Sequence, residues 1–340
     1  MINAAIVGLG WWGKTLVESA EGSDAIRFVA AATGRMTPEA QAFAAQKRLR
    51  LAADYAALLA DPSVDAVVLA TPHSLHAAQV IAAAGTGKHV YCEKPFTLTK
   101  PQAEEAVAAV RAAGVTLALG YNRRFHPEMG KLRAMIRAGE LGTILHVEAT
   151  MTFPNVLFID PAHWRADKTE TPLGGLTPMG VHAIDAMIDL CGPIEGVFAQ
   201  SLRRAAPIAA DDTTAILLRM GEGMSGYLAT MTTTGPGFGF QVFGSKGWLR
   251  LEGATHVAGA SSQERRTRLF GACKFQPVKG EAKLWQATPT DTARAALEAF
   301  ATAAAGGAAF PIPHDQMIHG VAVTEAIIRS AGAGKAERVQ

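Results

Sequence analysis

The chain has 340 residues, 49% hydrophobic and 18% charged, a globular profile that excludes disorder and predicts two domains, each with its own core. A formal net charge of +2 gives no electrostatic footprint for nucleic acid, and clusters such as Arg203–Arg204 and Arg265, Arg266 and Arg268 read as solvated faces. Three widely spaced cysteines, Cys92, Cys191 and Cys273, argue against a disulfide framework or a thiolate zinc site, and no apolar run reaches the roughly 18 residues of a membrane span, so a reducing, cytoplasmic setting without membrane partners is expected.

The N-terminal ten residues are apolar, lack a basic leader and read as a buried strand rather than a signal peptide. From there, short β-rich runs (Ala4–Val7, Ile26–Ala32, Val64–Ala70, His89–Cys92, Thr116–Leu119) alternate with helical segments (Lys14–Ala20, Pro38–Lys47, Leu75–Ala84, Pro101–Ala113). That alternation predicts an α/β, doubly wound parallel sheet over residues 1–122.

Gly8-Leu9-Gly10-Trp11-Trp12-Gly13 follows the first strand and opens a helix. It is the G-x-G-x-x-G dinucleotide turn in the context its mechanism needs. The first glycine makes the tight turn, the second admits a pyrophosphate, and the third lets helix and strand pack closely. An NAD enzyme usually ends its second strand on a carboxylate for the ribose 2′-hydroxyl. This chain has Thr33-Gly34-Arg35 instead, a hydroxyl and a guanidinium suited to a 2′-phosphate, so NADP(H) is expected over NAD(H).

The third strand ends in Thr71-Pro72-His73-Ser74-Leu75-His76, and the fourth runs into Glu93-Lys94-Pro95. Lys94 therefore falls at the carboxyl end of a parallel strand, where open α/β sheets place their ligands; a lysine there can exchange a proton with an alcohol or polarise a carbonyl. His73-x-x-His76 lacks cysteine or acidic partners nearby, and no metal is expected.

After about residue 140 the texture changes to consecutive β-like stretches, 144–153, 197–202, 213–220, 226–233, 238–243 and 248–251, interrupted by one long helix, Pro178–Leu190. Residues 123–340 thus read as an α+β domain on a large, mostly antiparallel open sheet. Pro127–Ala138 reads as a helix near the boundary, and late helices at 292–305 and 314–330 are expected to pack back on the body. In Pro178–Leu190, Thr177 reads as the N-cap, Pro178 as the first helical residue and Gly192 as the stop. His182, Asp185 and Asp189 share a polar stripe, so Asp185 is expected to hold His182 in one tautomer for acid–base work. An indole beside a guanidinium at Trp164-Arg165 offers a flat wall and an anion clamp. Convergence of Arg165 with Arg123 and Arg124 would suit a carboxylated substrate; solvent or interdomain salt bridges are the equal alternative for the three.

Gly87-Lys88-His89-Val90-Tyr91-Cys92-Glu93-Lys94-Pro95, together with the glycine turn, resembles the Gfo/Idh/MocA family of oxidoreductases. Gly174-Gly175, Gly180-Val181-His182-Ala183-Ile184-Asp185 and Asn122-Arg123-Arg124-Phe125 are similar to its other motifs, as is Ala326–Ser330, so the resemblance spans the whole chain. It implies a nicotinamide-dependent dehydrogenase or reductase acting on a sugar, polyol or related hydroxy/oxo compound, with Lys94 and His182 catalytic. It implies that Thr71, Pro72, His73, His76, Glu93, Asn122, Trp164 and Arg165 border the cofactor, and that Arg123, Arg124, Thr177 and Asp185 serve the substrate. A homodimer or homotetramer through the second domain's sheet is implied as well. One departure stands out. Many members carry an Asp four residues before the histidine, where this chain has Pro178. A redox-assisted lyase or glycosidase with tightly held dinucleotide, and a non-enzymatic dinucleotide sensor, stay open as alternatives.

Overall fold

A computed structural model describes residues 1–253 and 262–340; the side chains of Ser262, Gln263 and Arg265 fall outside that description. Among the described residues no helix is long and apolar enough to cross a membrane. The chain divides into two compact units, 1–122 with 291–318, and 123–290 with 319–340.

The first unit is built on six parallel strands: β1 (Ile2–Val7), β2 (Ile26–Ala32), β3 (Arg50–Leu51), β4 (Ala66–Leu69), β5 (His89–Cys92) and β6 (Leu117–Leu119). Their order is β3-β2-β1-β4-β5-β6, the doubly wound arrangement, with the strand order reversing at β1. Strands such as β4 are buried on both faces, which is why they read as unbroken apolar runs. The crossovers are α1 (Trp11–Ser19), α2 (Pro38–Gln46), α3 (Tyr55–Ala60), α4 (His76–Gly85) and α5 (Lys100–Ala113). The starts of α2, α3 and α5 carry side-chain caps, Thr37 on Ala40 N, Asp54 on Ala57 N and Thr99 on Gln102 N. Gly114 closes α5 in the left-handed region at φ 65°. Strand β3 and helix α3 are absent from the sequence reading, being two and six residues long and without a usable period.

The second unit begins with α6 (Pro127–Arg137) and β7 (Ile144–Thr152), followed by α7 (Val181–Cys191). Then come β8 (Ile194–Leu202), β9 (Thr213–Met220), β10 (Ser225–Met231), β11 (Gly237–Gly244), β12 (Gly247–Gly253), α8 (Ser262–Thr267), β13 (Ala272–Pro277) and β14 (Lys283–Gln286). Helix α9 (Thr292–Ala304) belongs to the first unit and packs on α1, β2 and β5, with Phe300 edge-on to Tyr91 at 5.8 Å. The chain ends with α10 (His314–Ala333) and β15 (Glu337–Arg338). The nine strands form one sheet, β14-β13-β12-β11-β7-β10-β9-β8-β15, antiparallel throughout except for the parallel β7–β10 pair. Val147, Ala149, Met151, Phe240, Val242, Leu228, Ile216 and Leu218 turn inward into the core with Ile184, Met187 and Leu190 of α7. The outward face carries a cross-strand row, Leu217, Tyr227, Glu148, Gln241 and Arg250, that is apolar at one end and polar at the other.

The long helix of the sequence reading is corrected at its start. Residues Leu176–Gly180 form one wide π turn, and α7 begins only at Val181 with Gly180 as its cap. Thr177 is not the N-cap: its hydroxyl donates to the Pro172 carbonyl at 2.8 Å. The small residues permit this, since a Cβ on Gly175 or Gly180 would come within about 3 Å of Thr230 and its neighbours. Gly192 ends α7 at φ 83°, as the sequence predicts.

Candidate active site

In the first unit the glycine turn is built as its mechanism requires. Gly8 has φ 101°, and a Cβ there would lie 2.5 Å from the Ala70 carbonyl oxygen. A Cβ on Gly13 would lie 1.9 Å from the Gly8 oxygen. Gly10 differs: it caps α1 at φ −69°, and a Cβ there would meet nothing within 4 Å. Its missing side chain is not required by the protein's own packing and leaves open space before a helix N-terminus whose first turn carries no acidic residue. Leu9 is buried and anchors the turn. Trp11 is 54% exposed beside Trp12, ring centroids 5.4 Å apart, and the buried Trp12 indole N–H has no hydrogen-bond partner. After β2, the Thr33 hydroxyl reaches the Arg35 carbonyl at 3.4 Å, Gly34 is open, and the exposed Arg35 makes no ion pair among the described residues. These features fit a dinucleotide phosphate group.

The loops after β4 and β5 are tied together by a buried imidazole. His76 sets Nδ1 2.9 Å from the Pro95 carbonyl and Nε2 3.1 Å from that of Thr71, and the buried His73 ring lies edge-on to it at 5.9 Å. With both nitrogens on carbonyls, His76 is a strut between two ligand loops. No group of three metal-ligating side chains gathers among the described residues. Thr71 donates its hydroxyl to Gln79 at 2.6 Å, beside the Pro72 turn. Glu93 is 5% exposed; its carboxylate accepts the Lys94 N–H at 3.2 Å and lies against Gly120, where a Cβ would come within 2.4 Å of it. Lys94 is half-buried just past the end of β5, and its bond to Pro95 is cis. The Asn122 amide donates to Thr292 at the start of α9.

In the second unit the two adjacent arginines part company. Arg124 grips α7: Nε and Nη2 donate to the two oxygens of Asp185 at 2.8 and 2.6 Å, Nη1 to Asp189 at 3.2 Å, and Arg133 closes the network on Asp189. Burial pushes the Asp185 carboxyl up to about 6, with Arg124 pulling the other way. Both Asp185 oxygens are thus engaged by Arg124, and the expected orientation of His182 by Asp185 is corrected: geometry gives that carboxylate to the arginine. His182 itself is 7% exposed on the first turn of α7, one turn ahead of this network.

Arg123 turns elsewhere. It is 9% exposed, its guanidinium stands 4.8 Å over the Phe238 ring, and its side chain donates to the Met151 sulfur at 3.6 Å. Arg165, on a short turn at 164–166, stacks on Trp164 at 4.3 Å, and the His163 ring stacks on the same indole at 5.6 Å. Their contacts place Arg123, Arg124 and Arg165 in three different surroundings. Sequence reasoning also missed Met151 and Phe238 as neighbours of Arg123; each lies in a β-like stretch and reads as core by alternation, and nothing in the pattern marks them as neighbours of a cation.

Comparison with known proteins matches this architecture domain by domain. The sequence model of the oxidoreductase family with NAD-binding Rossmann fold matches residues 2–121, and that of the GFO/IDH/MocA C-terminal domain matches residues 129–250. Similar proteins include the 1,5-anhydro-D-fructose reductase of Ensifer adhaerens, 27% identical with 83% of this chain and 82% of that one covered. The D-xylose 1-dehydrogenase (NADP(+)) 2 of Haloferax volcanii is 28% identical with 83% and 82% covered. An uncharacterized oxidoreductase of Bacillus subtilis, YrbE, is 32% identical over 58% of each chain. Among solved structures, aldose-aldose oxidoreductase from Caulobacter crescentus superposes with TM-score 0.85 at 25% identity, covering 99% of both chains. Levoglucosan dehydrogenase in complex with NADH gives TM-score 0.82 at 21% identity, over 100% of this chain and 99% of that one, a likeness of fold. With both domains matched in order and the glycine turn intact, the chain belongs to the Gfo/Idh/MocA family of oxidoreductases with an NAD-binding Rossmann fold.

Proposed function

We propose that this protein is an NADP(H)-preferring dehydrogenase or reductase of a sugar, polyol or related hydroxy/oxo compound, working in the cytoplasm. The observation that carries the reading is the open space at Gly10 before the α1 N-terminus, with the exposed Arg35 past the end of β2 in no ion pair among the described residues. Gly8, Leu9, Gly10, Trp11, Trp12 and Gly13 hold the pyrophosphate, Thr33, Gly34 and Arg35 the 2′-phosphate, and Thr71, Pro72, His73, His76, Glu93 and Asn122 line the remainder. The names of the relatives support both the sugar or polyol class and the redox chemistry, and one of them names NADP(+). The bound nicotinamide supplies the hydride chemistry.

The chain's own residues handle the proton. Lys94, half-buried at the end of β5, stabilises oxygen charge and exchanges a proton with it. His182 is the second acid or base, and the Arg124–Asp185 network fixes the helix that carries it. Pro178, on the π turn, brings no proton acceptor where many relatives have an Asp. That departure favours a second reading, a lyase or glycosidase that oxidises its substrate transiently with tightly held dinucleotide. Fluorescence titration with NADPH and NADH is the first test, because Trp11 and Trp12 sit in the turn. Tighter NADPH binding, and loss of turnover in Lys94→Ala and His182→Ala with dinucleotide affinity retained, is expected. Co-purified cofactor with turnover but no net change in nicotinamide absorbance would replace the first reading by the second. Failure to bind either dinucleotide would overturn both. The outward row at Leu217, Tyr227 and Glu148 is the proposed subunit interface, and a monomeric mass in solution would refute it.

A further inference from the structure

Arg123 is a buried guanidinium that meets no carboxylate among the described residues. Its side chain stands over the cross-strand pair Met151–Phe238 on the inward face of β7 and β11, and among the described residues the weak Met151 sulfur is its one side-chain hydrogen-bond acceptor. Phe238 packs on Phe270 at 5.2 Å, and Phe270 on the buried His126 ring at 4.6 Å. No acidic side chain faces it among the described residues, and burial without a counter-charge pushes its pKa down to about 9. An aromatic face offsets only part of the desolvation of a cation. The next residue shows the alternative: Arg124, on the same turn, is met by Asp185 and Asp189.

The chemistry of the guanidinium narrows what the missing charge is. A guanidinium presents paired N–H donors that match an oxyanion bidentately.

We infer that Arg123 docks an oxyanion group of the substrate, a carboxylate or a phosphate, so that acid or phosphorylated sugars are preferred over their neutral counterparts. The inference rests on the dehydrogenase reading for the word substrate, while the anion site stands on Arg123 alone. Two measurements keep them apart. In the first, the wild-type protein and the Arg123→Met and Arg123→Lys variants are melted with malonate or inorganic phosphate, at ionic strength fixed with chloride and with saturating NADPH. The wild type is expected to gain several degrees, Arg123→Lys to keep part of the gain, and Arg123→Met, whose bulk still covers Phe238, to lose it. The larger gain, with malonate or with phosphate, assigns carboxylate or phosphate. Equal gains in wild type and Arg123→Met, or none in the wild type, overturn the site. In the second, kcat/KM is compared for D-glucuronate, D-glucose 6-phosphate and D-glucose. The charged-to-neutral ratio is expected to exceed about tenfold and to fall at least about 30-fold in Arg123→Met; a ratio near one, or one that Arg123→Met leaves alone, overturns the preference. If neither NADPH nor NADH binds, the dehydrogenase reading fails, and the melts without dinucleotide still decide the anion site.

Discussion

Asp185→Ala distinguishes a carboxylate that holds the fold from one that serves the substrate. In the structure Asp185 is 4% exposed and receives two short N–H bonds from Arg124. Removing one partner of a buried ion pair costs about 3–5 kcal/mol, because the other charge is left without its counterpart. Arg124 keeps its 3.2 Å contact with Asp189 and a 3.3 Å bond to the Asp185 backbone carbonyl, so the lower end, about 3 kcal/mol, is expected. For a unit of about 190 residues that is a drop of roughly 6–12 °C in melting midpoint. Urea and thermal unfolding followed by circular dichroism read it directly. Arg124→Met should cost a comparable amount, because it leaves Asp185 buried and unpaired. The double variant Asp185→Leu/Arg124→Met should recover most of the loss, since replacing both members of a buried pair by apolar groups is often near neutral. A midpoint change under about 2 °C together with lost turnover would refute the structural assignment and return Asp185 to the substrate.

Four further outcomes follow from individual residues. Gly10→Ala should fold with unchanged stability, because its Cβ meets nothing, yet weaken NADPH binding at least about tenfold, whereas Gly13→Ala should damage folding itself through the 1.9 Å approach to the Gly8 oxygen; equal behaviour of the two in melting and titration would contradict this. Arg35→Asp should reverse the ratio of NADPH to NADH affinity, and an unchanged ratio in paired titrations would show that Arg35 does not read the phosphate. Burial holds the His126 imidazole down at about 4, so below pH 6.5 the unfolded chain takes up a proton the folded one refuses. Its contribution is complete above pH 6.5 and falls by about 3 kcal/mol towards pH 4; His126→Asn, which can keep the cap on α6, should flatten the slope of unfolding free energy over that window, and a slope identical to wild type would sink the assignment.

How much of this was legible in the sequence depends on the range of the interaction involved. The glycine turn, the alternation of strands and helices and the left-handed stop at Gly192 are set by a few adjacent residues, and each can be read where it stands. Two-residue β3 and six-residue α3 carry too few residues for a period, although Asp54 does mark the start of α3. The start of α7 misled for a different reason. Thr177-Pro178 has the local chemistry of a helix cap, but Gly175 and Gly180 pack against Thr230 on β10, and this tertiary contact accompanies a wide π turn instead. The arginines mark the limit most sharply. Arg123 and Arg124 are the same residue type at adjacent positions in one turn, and no rule of composition or spacing separates them. What separates them is which partner lies on each side of the turn: two aspartates on α7 for Arg124, a methionine and a phenylalanine on the sheet for Arg123. The first arginine is neutralised by the fold and stabilises it; the second is left charged against an apolar wall, at a cost the fold itself does not offset, and that is the physical ground for assigning it to a ligand.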